Sequence, residues 1–153
     1  MIPALDRFRT LPRTWEWVLR TRLYIEVQQF YARQMRLLDI HDIDSHAKTF
    51  TEDATFEHLP GFGPVSTRAA IGEAMLRWDR RSGDPIQRRH CLSMLDLMPR
   101  RGGLIDASSY LIEFTIRPGA KPQIAQSCTV NDELTRVGGQ LLVRSRKVLE
   151  DRL

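Results

Sequence analysis

With 153 residues, 42% of them hydrophobic and 27% charged, the chain is sized for one core, and a single domain over 1–153 with an N-terminal arm over 1–14 is expected. No run approaches the ~18 apolar residues that cross a bilayer, and Asp6, Arg7, Arg9 and Arg13 interrupt the opening stretch, so neither a membrane partner nor a secretory leader is expected and the protein is placed in the cytoplasm. The net charge of +4 is spread among 19 acidic residues, and 20 of the 23 basic residues are arginine, a bias that reads as codon usage and argues against a nucleic-acid partner.

Over 15–38 the apolar residues Trp17, Val18, Tyr24, Val27, Phe30, Tyr31, Met35 and Leu38 recur at mostly three- and four-residue steps, which predicts a long amphipathic helix with Tyr24 and Tyr31 on its inner stripe. Asp44 is placed to cap a short second helix over 45–51 that turns Ala47 and Phe50 inward. A first strand over 53–59 alternates up to Pro60-Gly61-Phe62-Gly63-Pro64, the strongest turn signal in the chain, which is read as a loop. Ser66 or Thr67 then caps a third helix over 68–78, with Ile71, Met75 and Trp78 on one face. Four alternating segments follow, over 86–99, 103–117, 123–137 and 140–149, joined by Gly- and Pro-containing turns, and predict an antiparallel meander. Cys91 and Cys128 fall inside these strands without CxxC or Cys/His spacing and read as buried thiols. His41 and His46, flanked by Asp42 and Asp44, are read as solvent-exposed, so neither a metal nor another cofactor is expected.

The order helix, helix, strand, helix, four strands predicts an α+β fold with helices against one face of a curved sheet. Together with Leu37-Leu38-Asp39, Phe50-Thr51-Glu52-Asp53-Ala54-Thr55-Phe56, Arg89-His90, Asp132-Glu133-Leu134-Thr135-Arg136 and Arg146-Lys147-Val148-Leu149, it resembles the nuclear transport factor 2-like superfamily. Within that superfamily the chain resembles the SnoaL-like branch, which groups aromatic polyketide cyclases and related hydroxylases with scytalone dehydratase and the small subunits of ring-hydroxylating dioxygenases. The resemblance implies a cone-shaped, curved antiparallel sheet with three helices packed on its concave side, the cystatin-like α+β barrel, holding a small-molecule pocket at the open end. It also implies a homodimer, for which the row Ile105, Ala107 and Leu111 beside Thr129 is the expected outer patch.

Histidine takes and returns protons near neutrality, and the resemblance to dehydratases puts a catalytic histidine at Arg89-His90. The plainer reading of His90 is a core or rim histidine bonded to a backbone carbonyl. With His90 inward, unbroken alternation brings Leu92 and Met94 inward too, and with them Asp106, Ser108, Tyr110, Ile112 and Phe114 on the next strand, leaving Ser109, Glu113 and Arg117 outside. The same rule groups Cys128, Val130, Asp132 and Leu134, and pairs Phe56 with His58. The expected chemistry is cyclase- or dehydratase-type acid–base catalysis on an aromatic or polyketide substrate, with His90 as base and Asp132 or Asp106 orienting it. Tyr110, Tyr31 and His58 assist, and Asp39 stands where the scytalone dehydratase-like pattern has an acid. Phe56, Phe62, Trp78, Met94, Phe114 and Val130 form the apolar walls, and Asp53 is structural. A noncatalytic dioxygenase small subunit or ligand-binding module is the alternative, and a cofactor-free ring hydroxylase a further one.

Overall fold

The computed structural model describes residues 13–58, 62–80 and 85–152; the arm up to residue 12 and the turn centre at 59–61 lie outside the described residues. Helix α1 (Arg13–Asp39) is followed by α2 (Ile43–Ala47), β1 (Phe50–His58), β2 (Phe62–Ser66), α3 (Arg68–Arg80), β3 (Gln87–Pro99), a 3-10 turn (Arg101–Gly103), β4 (Ile105–Ile116), β5 (Gln123–Val137) and β6 (Gln140–Glu150). The strands form one open sheet in the order β2-β1-β6-β5-β4-β3. The sheet is mixed, because β1 runs parallel to β6, where an antiparallel sheet was expected. The Pro-Gly stretch read as a loop overlaps the start of β2, which pairs with β1 through Phe56 with Val65 and Thr55 with Ser66. No helix among the described residues is long and apolar enough to cross a membrane.

Only the second half of α1 lies on the sheet. Val27, Tyr31, Gln34, Met35 and Leu38 are buried at three- and four-residue steps, whereas Trp17, Val18 and Tyr24, which share that periodicity, are exposed among the described residues. Helix α2 starts earlier than its sequence suggests, since Asp42 and not Asp44 caps it by accepting the Ser45 backbone N–H at 3.1 Å. Phe50 then opens β1 and is fully buried. Helix α3 is capped by Thr67, whose hydroxyl accepts the Ala70 N–H, and packs Ile71, Ala74 and Met75 into the core.

Two β-bulges decide which side chains face that core. In β3, Asp96 pairs with Ser108 but Ser93 pairs with Tyr110, so Met94 and Leu95 together oppose the single residue Ser109, and Met94 takes a left-handed backbone with φ of 54°. In β6, Val143 pairs with Leu134 but Ser145 pairs with Glu133, which leaves Arg144 as the extra residue. Each bulge shifts the inward set by one position. Strand β6 therefore buries Leu141 and Val143 before its bulge and Arg146 and Val148 after it.

The bulge in β3 corrects the expected register of its neighbour. His90 stands directly opposite Glu113 on β4, and directly opposed residues share a sheet face, so Ile105, Ala107, Ser109, Leu111 and Glu113 point inward. Tyr110 (55% exposed) and Met94 (74% exposed) are on the outside, and Phe114 shares the outward face of Tyr110. The row Ile105, Ala107 and Leu111, expected as a dimer patch, belongs to the core. Cys91 is exposed and only Cys128 is buried. The inward set on β5, Cys128, Val130, Asp132 and Leu134, is as the alternation predicts.

Candidate active site

Cross-strand pairing lines up the inner face in rows. His90 on β3, Glu113 on β4 and Gln126 on β5 form one row, and Val130, Val148 and His58 form another on β5, β6 and β1. A third runs from Asp132 through Arg146 to Phe56. Helix α1 covers these rows with Met35 and Leu38, and α3 with Met75 and Trp78. Between helices and sheet they enclose a cavity of about 190 Å³, closed further by Leu92 and Leu111. This is below the ~300–1,000 Å³ of pockets that engulf a drug-sized ligand. A substrate that fits contacts the lining closely or extends out of the mouth.

His90 is held from both sides. Its Nδ1 lies 2.7 Å from Asp39 Oδ1, and the same oxygen accepts the His90 backbone N–H at 3.1 Å. Because a carboxylate only accepts, the Nδ1 atom carries the proton in this bond, leaving Nε2 for the cavity. Nε2 lies 3.9 Å from Glu113 Oε2. Asp39 is the last residue of α1, so the helix end delivers the carboxylate that orients the histidine. Sequence reasoning had proposed Asp132 or Asp106 for that role. Asp106 faces away from the cavity and meets Arg100 at 3.2 Å, and Asp132 is engaged elsewhere.

Glu113 is itself buried and bridged. Arg88 Nε lies 3.3 Å from Glu113 Oε1, while Arg88 NH1 reaches Asp79 Oδ1 at 2.9 Å and the guanidinium stacks 4.2 Å above the Trp78 ring. On the outer side of Asp79, at 2.7 Å, stands His41 Nδ1.

Beneath the cavity floor a second network is fully desolvated. Arg146 grips Asp132 with two parallel bonds, Nε to Oδ1 at 2.9 Å and NH2 to Oδ2 at 2.7 Å, and donates to Gln34 at 2.7 Å. The Tyr31 hydroxyl donates to Asp132 at 2.7 Å, and burial and then the Asp132 charge hold its ionisation far above the usual phenol range. Tyr31 is therefore a neutral donor committed to Asp132. Of this network Arg146 borders the cavity, whereas Tyr31 and Asp132 support it from below.

At the other end His58 lies nearly parallel to Phe56, ring centroids 6.5 Å apart. Burial lowers its pKa, opposed by the Glu150 charge and a Gln126 hydrogen bond, which favours a neutral imidazole. His46, read as exposed, is fully buried behind the floor against Phe50, and neither ring nitrogen has a hydrogen-bond partner. Burial, then the charges of Arg146 and His90, push its pKa well below the ordinary value.

Of the residues singled out in sequence, His90, His58, Phe56, Trp78 and Val130 line the cavity and Asp39 supports His90 from behind. Met94, Phe114 and Tyr110 lie on the opposite face, and the Phe62 side chain is outside the described residues. Sequence reasoning missed Glu113, Arg146 and Gln126. The pairing of His90 with Glu113 is the signal that finds the first of these, and it is hidden without the bulge.

Residues 20–147 match the model of the SnoaL-like domain. The solved structure of ActVI-ORFA from Streptomyces coelicolor is 41% identical, over 86% of this chain and 98% of that one, with a TM-score of 0.78. A Catenulispora acidiphila protein, solved in complex with S-DNPA, is 37% identical over 86% of this chain and 95% of its own, with a TM-score of 0.77. An NTF2-like protein with a cystatin-like fold from Novosphingobium aromaticivorans is 20% identical over 91% and 90% of the two chains, TM-score 0.71, a likeness of fold alone. No curated protein matches the chain in sequence.

Proposed function

The chain belongs to the SnoaL-like domain family, and from that premise we propose that it is an acid–base enzyme of aromatic polyketide-type metabolism, catalysing a cyclisation or dehydration in the cavity between helices and sheet. The observation that carries the reading is the Asp39–His90 pair. A buried imidazole bonded through Nδ1 to a carboxylate keeps one tautomer and one ring orientation, so Nε2 is aimed at whatever occupies the cavity. Cyclases and dehydratases of carbonyl compounds begin by moving a proton beside the carbonyl, and a positioned imidazole contributes roughly 10²–10⁴-fold to such a step.

The remaining lining suits a flat, largely apolar molecule with a few oxygens. Phe56, Trp78, Leu92 and Leu111 supply apolar surface, while His58, Gln126 and Arg146 place polar groups around it. The complex of the Catenulispora protein with S-DNPA supports small-molecule binding by this fold.

The reading is tested by incubating a panel of aromatic polyketide intermediates with the wild-type protein, H90A and D39N, with product analysis by mass spectrometry. Loss of water, or an isomer of unchanged mass, formed by the wild type and not by folded H90A, is the expected result. Full activity in H90A removes His90 from the mechanism. Binding without conversion by the wild type transfers the protein to the ligand-binding or small-subunit class, and gain of one oxygen assigns a hydroxylase.

A further inference from the structure

The acid–base reading above needs one proton-transfer group, yet the β3–β4 wall of the cavity holds two, His90 and Glu113. Glu113 is 4% exposed and lines the cavity in the same cross-strand row as His90, with its Oε2 3.9 Å from Nε2. Buried carboxylates in core positions are uncommon, because desolvating the charge is costly unless it is paired. Here the charge is paired. Arg88 contacts Oε1, Asp79 holds Arg88 from α3, and Asp39 holds the imidazole from α1. The carboxylate Oε2 and the His90 Nε2 thus stand side by side on the cavity wall, each with its other end anchored.

We propose that Glu113 is a second catalytic residue, the base that works with His90 as acid in enolising a substrate carbonyl; this rests on the acid–base reading of the cavity. The Glu113 carboxylate takes the proton from the carbon beside the carbonyl as the His90 Nε2–H donates to the carbonyl oxygen. The C–H bond breaks, an O–H bond forms, and the ketone becomes its enol without an external co-reactant. The proton on Glu113 then passes across the 3.9 Å gap to Nε2, restoring the starting pair. Two groups so close act on the carbonyl oxygen and the α-hydrogen of one molecule, with Arg88 holding the carboxylate and Asp39 the imidazole in place. The substrate class is accordingly an aryl ketone with an enolisable C–H directed at the β3–β4 wall.

The test is uptake of deuterium from D2O into 1-tetralone, a bicyclic aryl ketone, followed by proton NMR with the wild type, H90Q, E113Q and E113D. The wild type should accelerate exchange, and E113Q should lose roughly 10²-fold or more in kcat with little change in KM, as expected for a group acting in the transition state. E113D, which keeps a carboxylate opposite Arg88 but withdraws it by one methylene, should fall between the two. Where E113Q does not fold, E113D decides: a wild-type rate in E113D overturns the proposal. Exchange that is lost in H90Q but kept in E113Q overturns the role of Glu113 alone. No exchange by the wild type overturns it together with the acid–base reading.

Discussion

Single residues set the protonation states that the cavity works with. Asp39 is the hydrogen-bond acceptor that fixes the His90 ring, so D39N should leave the cavity intact and lower turnover by about two orders of magnitude by releasing the tautomer, with a stability loss of about 1–3 kcal/mol. Steady-state kinetics and a urea titration of the same sample separate the two effects. His46 makes a different prediction. Fully buried and without a partner for either nitrogen, it stays neutral in the folded protein below the pH at which it charges in the unfolded chain, about 6.5. Between that value and its depressed folded pKa the unfolded state binds the extra proton, so stability falls as the pH drops below about 6.5. Urea midpoints at pH 7.5 and 5.5 should therefore differ in the wild type and converge in H46L; an unchanged difference in H46L assigns the acid sensitivity to another group.

At the scale of elements, the two bulges determine which residues make the site. If β3 paired with β4 from Pro99 and Ile105 onward without the bulge, His90 would stand opposite Phe114 and turn outward. Met94 absorbs that extra residue in a left-handed conformation that favours glycine, while its side chain is largely in solvent. M94G should therefore raise stability by up to about 1 kcal/mol in thermal unfolding with turnover unchanged, whereas loss of turnover in M94G would show that the side chain at the bulge matters to the site. The bulge also explains what the sequence conceals. The strands and the inward face of β5 are legible from alternation and turn residues, because these depend on neighbours along the chain, whereas the choice of His90 rests on the family resemblance. Glu113 and Tyr110 exchange faces because the one-residue insertion has no distinct residue signature, and strand β4 offers mixed polar and apolar residues on both faces, so its own pattern cannot decide. Tyr24 and Trp17 carry the same helical periodicity as the buried stripe of α1, yet among the described residues both are exposed.

Across the whole molecule, the Arg146–Asp132 pair joins the pieces that enclose the cavity. Tyr31 and Gln34 bring α1 to it, Asp132 belongs to β5 and Arg146 to β6, and Gln34 continues to Thr49 between α2 and β1. Both charged side chains are almost fully desolvated, so removing one partner leaves the other uncompensated in the interior. D132N should accordingly cost about 3–5 kcal/mol, more than the roughly 1.5–3 kcal/mol of Y31F, which loses one bond to a charged acceptor. Replacing both charges together, as D132L with R146M, removes the uncompensated ion and should regain most of the loss, since a well-packed apolar pair is often as stable as a buried ion pair. Arg146 nevertheless borders the cavity, and Asp132 does not. The double variant should therefore recover the urea midpoint but not wild-type affinity for substrate, an outcome read by titrating ligand into both proteins. Recovery of both would reduce Arg146 to a structural tie between α1 and the sheet, whereas recovery of stability alone gives it a second task at the cavity floor.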